Sequence, residues 1–251
     1  MKYVVANWKM YPTVGEALGL FEAIQDGLSA QARAGHALPM PIICPPFVAL
    51  VPIRGVVDER LVRLGAQNCH WEHKGPYTGE ISAVMLKGMV DYVLVGHSER
   101  RLVGETDEHV ARKVSAVVEA GLVPIVFVGE DAPTGEGIRQ SEERLRQRLS
   151  QVELADHTVL VVYEPAWAIG AAHPAEPEHV REAVEHLKES LRRLGAARPE
   201  VLYGGSVRRD NVERFAALEV LDGVGATRGS LDAEEFLDIV SWMAGNGPAA
   251  S

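Results

Sequence analysis

Residues 158–170 read Thr158-Val159-Leu160-Val161-Val162-Tyr163-Glu164-Pro165-Ala166-Trp167-Ala168-Ile169-Gly170. The β-branched run at the front predicts a strand, and Glu164 stands where that strand ends. Pro165 stops it by removing a ladder donor and biases Glu164 itself towards extended backbone. Small residues then follow from Ala168 to Ala172, before Pro174. A stiff start, a flexible middle and a stiff end are what a hinged lid requires. A carboxylate beside such a lid is a candidate base. Taken alone it reads better as a solvated acid at a strand-to-helix turn, so its partners elsewhere in the chain must decide.

The same unit recurs. Residues 3–7, 41–44, 61–66, 91–95, 123–128, 158–163, 201–203 and 221–226 predict eight strands. Helical patterns follow them at 14–34, 47–57, 81–87, 106–120, 137–152, 178–194, 210–218 and 233–243. The first carries Leu18, Phe21, Ile24 and Leu28 on one stripe. Eight alternating units without a linker or a composition break predict an α/β fold. At this length they favour one (β/α)8 barrel domain over residues 1–251, its eight parallel strands surrounded by helices. No Gly-x-Gly-x-x-Gly follows the first strand, which counts against a dinucleotide-binding sheet.

Composition narrows the function. Apolar residues make up 47% of 251, ordinary for a globular chain, and no apolar run reaches the ~18 residues of a membrane span. Lys and Arg number 25 against 35 Asp and Glu, a net charge of −10. That argues against nucleic-acid binding, and an anionic substrate would need local basic groups to attract it. Cys44 and Cys69 lack metal-finger or CxxC spacing, and the N-terminus enters a strand at once. The expectation is a cytoplasmic, disulfide-free protein with no membrane attachment.

In a barrel of this kind the strands' C-terminal ends carry the active site. Asn7 and Lys9 follow the first strand and share a side by the two-residue period. His97 ends the fourth strand, where Ser98 is expected to cap the next turn and backbone N–H groups to favour a neutral imidazole. Tyr203-Gly204-Gly205-Ser206 and residues 223–230 close the last two units, where barrels often hold a phosphate.

Asn7-Trp8-Lys9, Gly96-His97-Ser98-Glu99-Arg100-Arg101, the stretch from Tyr163 to Gly170 and Tyr203-Gly204-Gly205-Ser206-Val207 together resemble the signature blocks of the triosephosphate isomerase family, in order and over nearly the whole chain. The resemblance implies interconversion of dihydroxyacetone phosphate and D-glyceraldehyde 3-phosphate through an enediolate, without metal or cofactor. It makes Glu164 the base, His97 the neutral electrophile, Lys9 the group that neutralises developing charge and Asn7 a substrate-positioning residue. Glu99 becomes a supporting acid near Lys9, and Gly170 and Ser206 grip the phosphate. The lid covers Pro165, Ala166, Trp167, Ala168, Ile169, Gly170, Ala171 and Ala172.

Three departures stand out. Ala171-Ala172 replaces the family's usual Thr-Gly, and Phe127 stands where Cys is usual. Thr227 and Arg228 occupy the positions of a Gly-Gly pair whose amides touch the phosphate, and Arg228 could offer a bidentate contact instead. Some relatives isomerise four-carbon ketose phosphates such as erythrulose phosphate. Arg228 and Gln67-Asn68-Cys69-His70-Trp71 resemble that branch, so the longer sugar is the alternative substrate. Cys69-His70-Trp71-Glu72-His73 could also suggest metal ligands, although solvated or packed histidines account for it more simply. The loop from Gln67 to Glu80 is long, and long loops in compact domains are usually functional. The resemblance implies that it reaches into a second subunit of a homodimer, with Thr78 near the partner's site.

Overall fold

The computed structural model describes residues 1–169, 174–245 and 247. Strands β1 (Tyr3–Asn7), β2 (Met40–Cys44), β3 (Arg63–Ala66), β4 (Tyr92–Val95), β5 (Val123–Val128), β6 (Leu160–Tyr163), β7 (Glu200–Tyr203) and β8 (Gly223–Ala226) form a closed parallel barrel in chain order. The closing seam pairs Tyr3 with Gly223 and Ala6 with Ala226. Around it lie α1 (Val14–Arg33), α2 (Phe47–Arg54), α3 (Ala83–Leu86), α4 (Ser98–Leu102), α5 (Asp107–Glu119), α6 (Gly135–Leu149), α7 (Pro177–Arg193), α8 (Val212–Ala216) and α9 (Ala233–Met243).

Alternation along each strand produces two apolar layers. Tyr3, Val5, Leu94, Ile125, Leu160 and Val162 pack in the barrel interior. Val4, Ala6, Val93, Val95, Val126 and Val161 face outward onto the helices. The same two-residue period carries Asn7 and Glu164 to the interior side at the barrel's rim. Each buried aliphatic side chain contributes about 1.5–3 kcal/mol, so the double layer fixes the register strongly.

The predicted elements are all present, though several are shorter. The helix expected over 81–87 is one turn, Ala83–Leu86, capped at its start by the Ser82 hydroxyl, and Gly88 just beyond it has φ +79°. The strands expected from residues 61, 158 and 221 begin two residues later, where pairing with the neighbouring strand starts. Helix α4 was not expected. It is a single polar turn at the end of β4, too short to leave a periodic signal.

One ionic cluster anchors the long loop after β3. Lys113 Nζ lies 2.6 Å from Glu105 and 2.9 Å from Asn68 Oδ1, with both charged side chains almost wholly buried. Arg100 Nε adds a second donor to Glu105 at 3.1 Å. Lys113→Met would leave a buried carboxylate short of its main partner, and a loss of about 3–5 kcal/mol in urea unfolding is expected. A loss below about 1 kcal/mol would show that the pair is effectively solvated.

Candidate active site

The rim of the barrel holds a cavity of about 360 Å³. Lys9, Glu99, Glu164, Ser206, Thr227 and Arg228, all singled out from the sequence, line it. Three cations (Lys9, Arg208, Arg228) face two carboxylates there, so the pocket is locally positive in a chain of net charge −10.

Glu164 sits at the end of β6 with only 6% of its surface exposed. Its Oε1 lies 3.1 Å from His97 Nε2, and its Oε2 accepts from the Ser98 backbone N–H at 3.1 Å. His97 Nδ1 accepts the Glu99 N–H at 3.2 Å. A nitrogen that accepts carries no proton, so this bond assigns the ring proton to Nε2 and aims it at the carboxylate. The imidazole itself is therefore the N-cap of α4, the role expected of Ser98. Ser98 contributes its backbone N–H instead, because Gly96, at φ +76°, turns the chain so that the imidazole meets the Glu164 carboxylate. Burial pushes the Glu164 carboxyl up, but the hydrogen bonds it accepts from His97 and Ser98 outweigh it and hold it below its ordinary value.

Lys9 and Ser206 are the non-glycine residues with positive φ among the described residues, at 48° and 54°. Such a backbone costs of order 1–3 kcal/mol and persists only where its surroundings dictate it. Around Lys9 those surroundings are plain. Asn7 Oδ1 accepts the Lys9 N–H at 3.0 Å, and Gln67 Nε2 donates to the Lys9 carbonyl at 2.8 Å. Lys9 Nζ then meets Glu99 at 2.6 Å, as a supporting acid would. Asn7 is thus engaged with Lys9, and neither it nor His97 is among the residues that line the cavity. Asn211 does the corresponding work at Ser206. Its Nδ2 donates to the Ser206 carbonyl at 3.0 Å and its Oδ1 accepts from the Arg208 N–H at 2.9 Å.

The described part of the lid is tied at both ends. Ala166–Ala168 form a 3-10 turn after Pro165, with the Trp167 indole N–H 3.1 Å from Glu130 Oε1. Ser206 Oγ donates to the Ala168 carbonyl at 3.3 Å, and the Ala175 N–H donates to the Tyr203 hydroxyl at 2.9 Å. Ile169 and Pro174 line the cavity. Gly170, Ala171, Ala172 and His173 lie outside the described residues. Glu130 is fully buried. Burial pushes its carboxyl up, but His179, Tyr163, Ser141 and Trp167 donate to it and hold it below the usual range.

Sequence reasoning did not single out Glu130, Tyr11, Arg208 or Asn211. A carboxylate straight after the fifth strand and an Arg-Arg-Asp-Asn run after Gly-Gly-Ser were the available signals. The Cys69–His73 segment does not converge into a ligand set. Cys69 is buried, His70 Nδ1 accepts the Glu72 N–H, and His73 pairs with Glu119. Among the described residues no group of three or more His, Cys, Asp or Glu could hold a metal ion.

The family model for triosephosphate isomerase matches residues 2–243. The triosephosphate isomerase of Caldanaerobacter subterraneus subsp. tengcongensis is 40% identical over 249 residues, covering 95% of this chain and 98% of its own. That of Aquifex aeolicus is 37% identical over 248 residues, with the same coverage. The crystal structure of triosephosphate isomerase from Bartonella henselae superposes with a TM-score of 0.84 at 32% identity, over 96% of this chain and 98% of that one.

The pKa displacement of Glu164 has a definite sign. A depressed value keeps the group ionised below its ordinary 4.5, so its stabilising contribution is complete above that pH and is lost as pH falls through the folded value. A 13C titration of Glu164 is expected to give a pKa below 4.5 in the free protein and a higher one in His97→Ala. A free-protein value above 4.5 would mean that burial prevails.

Proposed function

The chain belongs to the triosephosphate isomerase family, and from that premise we propose that Glu164, His97 and Lys9 carry the proton transfers of the reaction. The activity is the interconversion of dihydroxyacetone phosphate and D-glyceraldehyde 3-phosphate. The observation that carries the residue assignment is the 3.1 Å contact between the buried Glu164 carboxylate and a histidine nitrogen that bears a proton.

Moving a carbonyl between adjacent carbons begins with loss of a proton α to it. Glu164 takes that proton, and the electron pair left on carbon moves onto the carbonyl oxygen, forming an enediolate. His97 Nε2–H and the Lys9 ammonium stabilise that oxygen. That oxygen then gains a proton and the neighbouring hydroxyl loses one through His97 Nε2, which gives up its proton to the first oxygen and recovers one from the second. Glu164 returns its proton to the carbon that bore the carbonyl. The contacts of Glu164 explain the timing. When a substrate oxygen takes the Nε2–H, Glu164 loses its main stabilising partner while remaining buried. Its basicity rises when a base is needed. Tuning by burial and a neutral imidazole, with a lid that excludes water, is already known for triosephosphate isomerase itself.

The phosphate end is read from position. Ser206 and Thr227 line the cavity beside Arg208 and Arg228, and the last two βα loops are the usual barrel phosphate site. Arg228 supplies a charge-assisted contact where a side chain at Thr227 limits the approach of backbone amides. Gly170 completes the grip by resemblance.

In the direct test, wild-type kcat/KM for glyceraldehyde 3-phosphate is expected well above ~10⁴ M⁻¹s⁻¹, the low end for ordinary enzymes. Erythrulose phosphate should turn over more slowly. The reverse order would move the activity to the four-carbon sugar. Glu164→Gln should lose about 10²–10⁴ in kcat. Arg228→Ala should raise KM about tenfold or more with kcat largely kept. An unchanged KM would remove Arg228 from the phosphate site.

A homodimer through the loop from Gln67 to Glu80 fits the surface. Met10, Tyr11, Val48, Tyr77, Met85 and Leu102 are exposed, and all follow β1 to β4, one half of the rim. Thr78 is exposed beside Tyr77. No described helix is long and apolar enough to cross a membrane. Sedimentation should give about twice the 27.3 kDa chain mass at micromolar concentration. A 27.3 kDa species there would exclude a stable dimer.

A further inference from the structure

Arg148 belongs to the charged helix α6, yet only 1% of its side chain is exposed. A guanidinium is rarely buried without partners that satisfy its fork. Its Nε donates to Asp107 Oδ1 at 2.6 Å. Its Nη1 donates to the Phe127 carbonyl and, at 3.4 Å, to the Gly96 carbonyl. One side chain therefore bridges the ends of β4 and β5 to the first turn of α5.

Both carbonyls lead to His97. The Gly96 carbonyl belongs to the peptide that enters the histidine. A Cβ placed on Gly96 would lie 3.1 Å from Arg148 Nη1, so this turn packs directly against the guanidinium. Phe127 meets the imidazole edge-on, with ring centroids 4.9 Å apart and planes at 71°. The backbone on one side of His97 and the ring on the other thus hang from the same group.

We propose that Arg148 is a positioning residue for His97: its guanidinium ties the ends of β4 and β5 together and so sets the angle at which Nε2–H meets the substrate oxygen. This rests on His97 being the oxygen-side donor. Simple charge pairing does not need this arrangement. A lysine could neutralise Asp107, but a point charge cannot hold two carbonyls in a fixed relation to that carboxylate. A small misplacement of a donor in a preorganised site costs up to about 10² in rate.

The test uses the full-length enzyme as Arg148→Lys and Arg148→Met, read by steady-state kinetics and by 15N NMR of labelled histidine. Both variants are expected to lose about 10- to 100-fold in kcat with KM within about twofold, and to shift the His97 Nε2–H resonance. A variant that is less stable but keeps wild-type kcat and an unmoved resonance would overturn the proposal, since stability alone was then at stake. Should a single variant fail to fold, Arg148→Met with Asp107→Asn removes both buried charges, and the same two readouts decide. A wild type without isomerase activity would sink the functional reading alone. The histidine resonance would still report whether Arg148 positions the ring.

Discussion

The pairing of β1 with β8 is the constraint on which the site depends. Once Tyr3–Ala6 lies beside Gly223–Ala226, the parallel sheet has no edge and all eight C-terminal ends share one rim. Lys9, Glu99, Glu164, Ser206 and Arg228 span most of the chain, and closure brings them around one cavity, with His97 against Glu164. Leu202 and Tyr203 of β7 pair with Gly223 and Val224 of β8, so the two phosphate-side loops adjoin. The apolar double layer beneath the rim holds this arrangement, and Asn7 and Glu164 stand on its last interior positions.

Strain and charge concentrate where that scaffold ends. Lys9 and Ser206 both hold a left-handed backbone, and each is pinned by an amide side chain from elsewhere, Gln67 and Asn211 respectively. The carboxylates follow a similar rule. Glu164 and Glu130 are buried, and donors overcome the burial so that both stay ionised. Glu130 keeps its donors within the hinge, through Trp167 and Tyr163. Glu164 is held by His97, a partner that a substrate oxygen can take over. That difference separates a closed network from one that can exchange a partner.

Local pattern carried far in this chain. The two-residue and helical periods placed every strand and all helices but the single polar turn α4, and residues just past the strands, such as Lys9, Glu164 and Ser206, line the rim cavity. Boundaries moved where pairing with a neighbouring strand, rather than propensity, sets the end, as at Leu160 and Gly223. The cap of α4 was misread because Ser98 is the better intrinsic N-cap. His97 displaced it because Gly96 reverses the backbone there. Glu130 works through donors distant in sequence, Tyr163, Trp167 and His179, whereas Arg208 and Asn211 make local contacts, and single residues of common type leave no periodic trace.

From its sequence alone this protein has eight strand–helix units, a proline-stopped strand ending in Glu164, and motif blocks specific enough to imply the reaction. Those are properties of neighbours along the chain, set by sterics and by the burial of apolar faces. Tertiary structure decided which nitrogen of His97 bears the proton, why a buried Glu164 stays ionised, and that Arg148, on an outer helix, reaches the Gly96 and Phe127 carbonyls on either side of His97. The last two depend on groups tens of residues apart meeting within about 3 Å, the first on the turn that sets His97 Nδ1 against the Glu99 N–H, and hydrogen bonding fixes protonation and orientation only at that range.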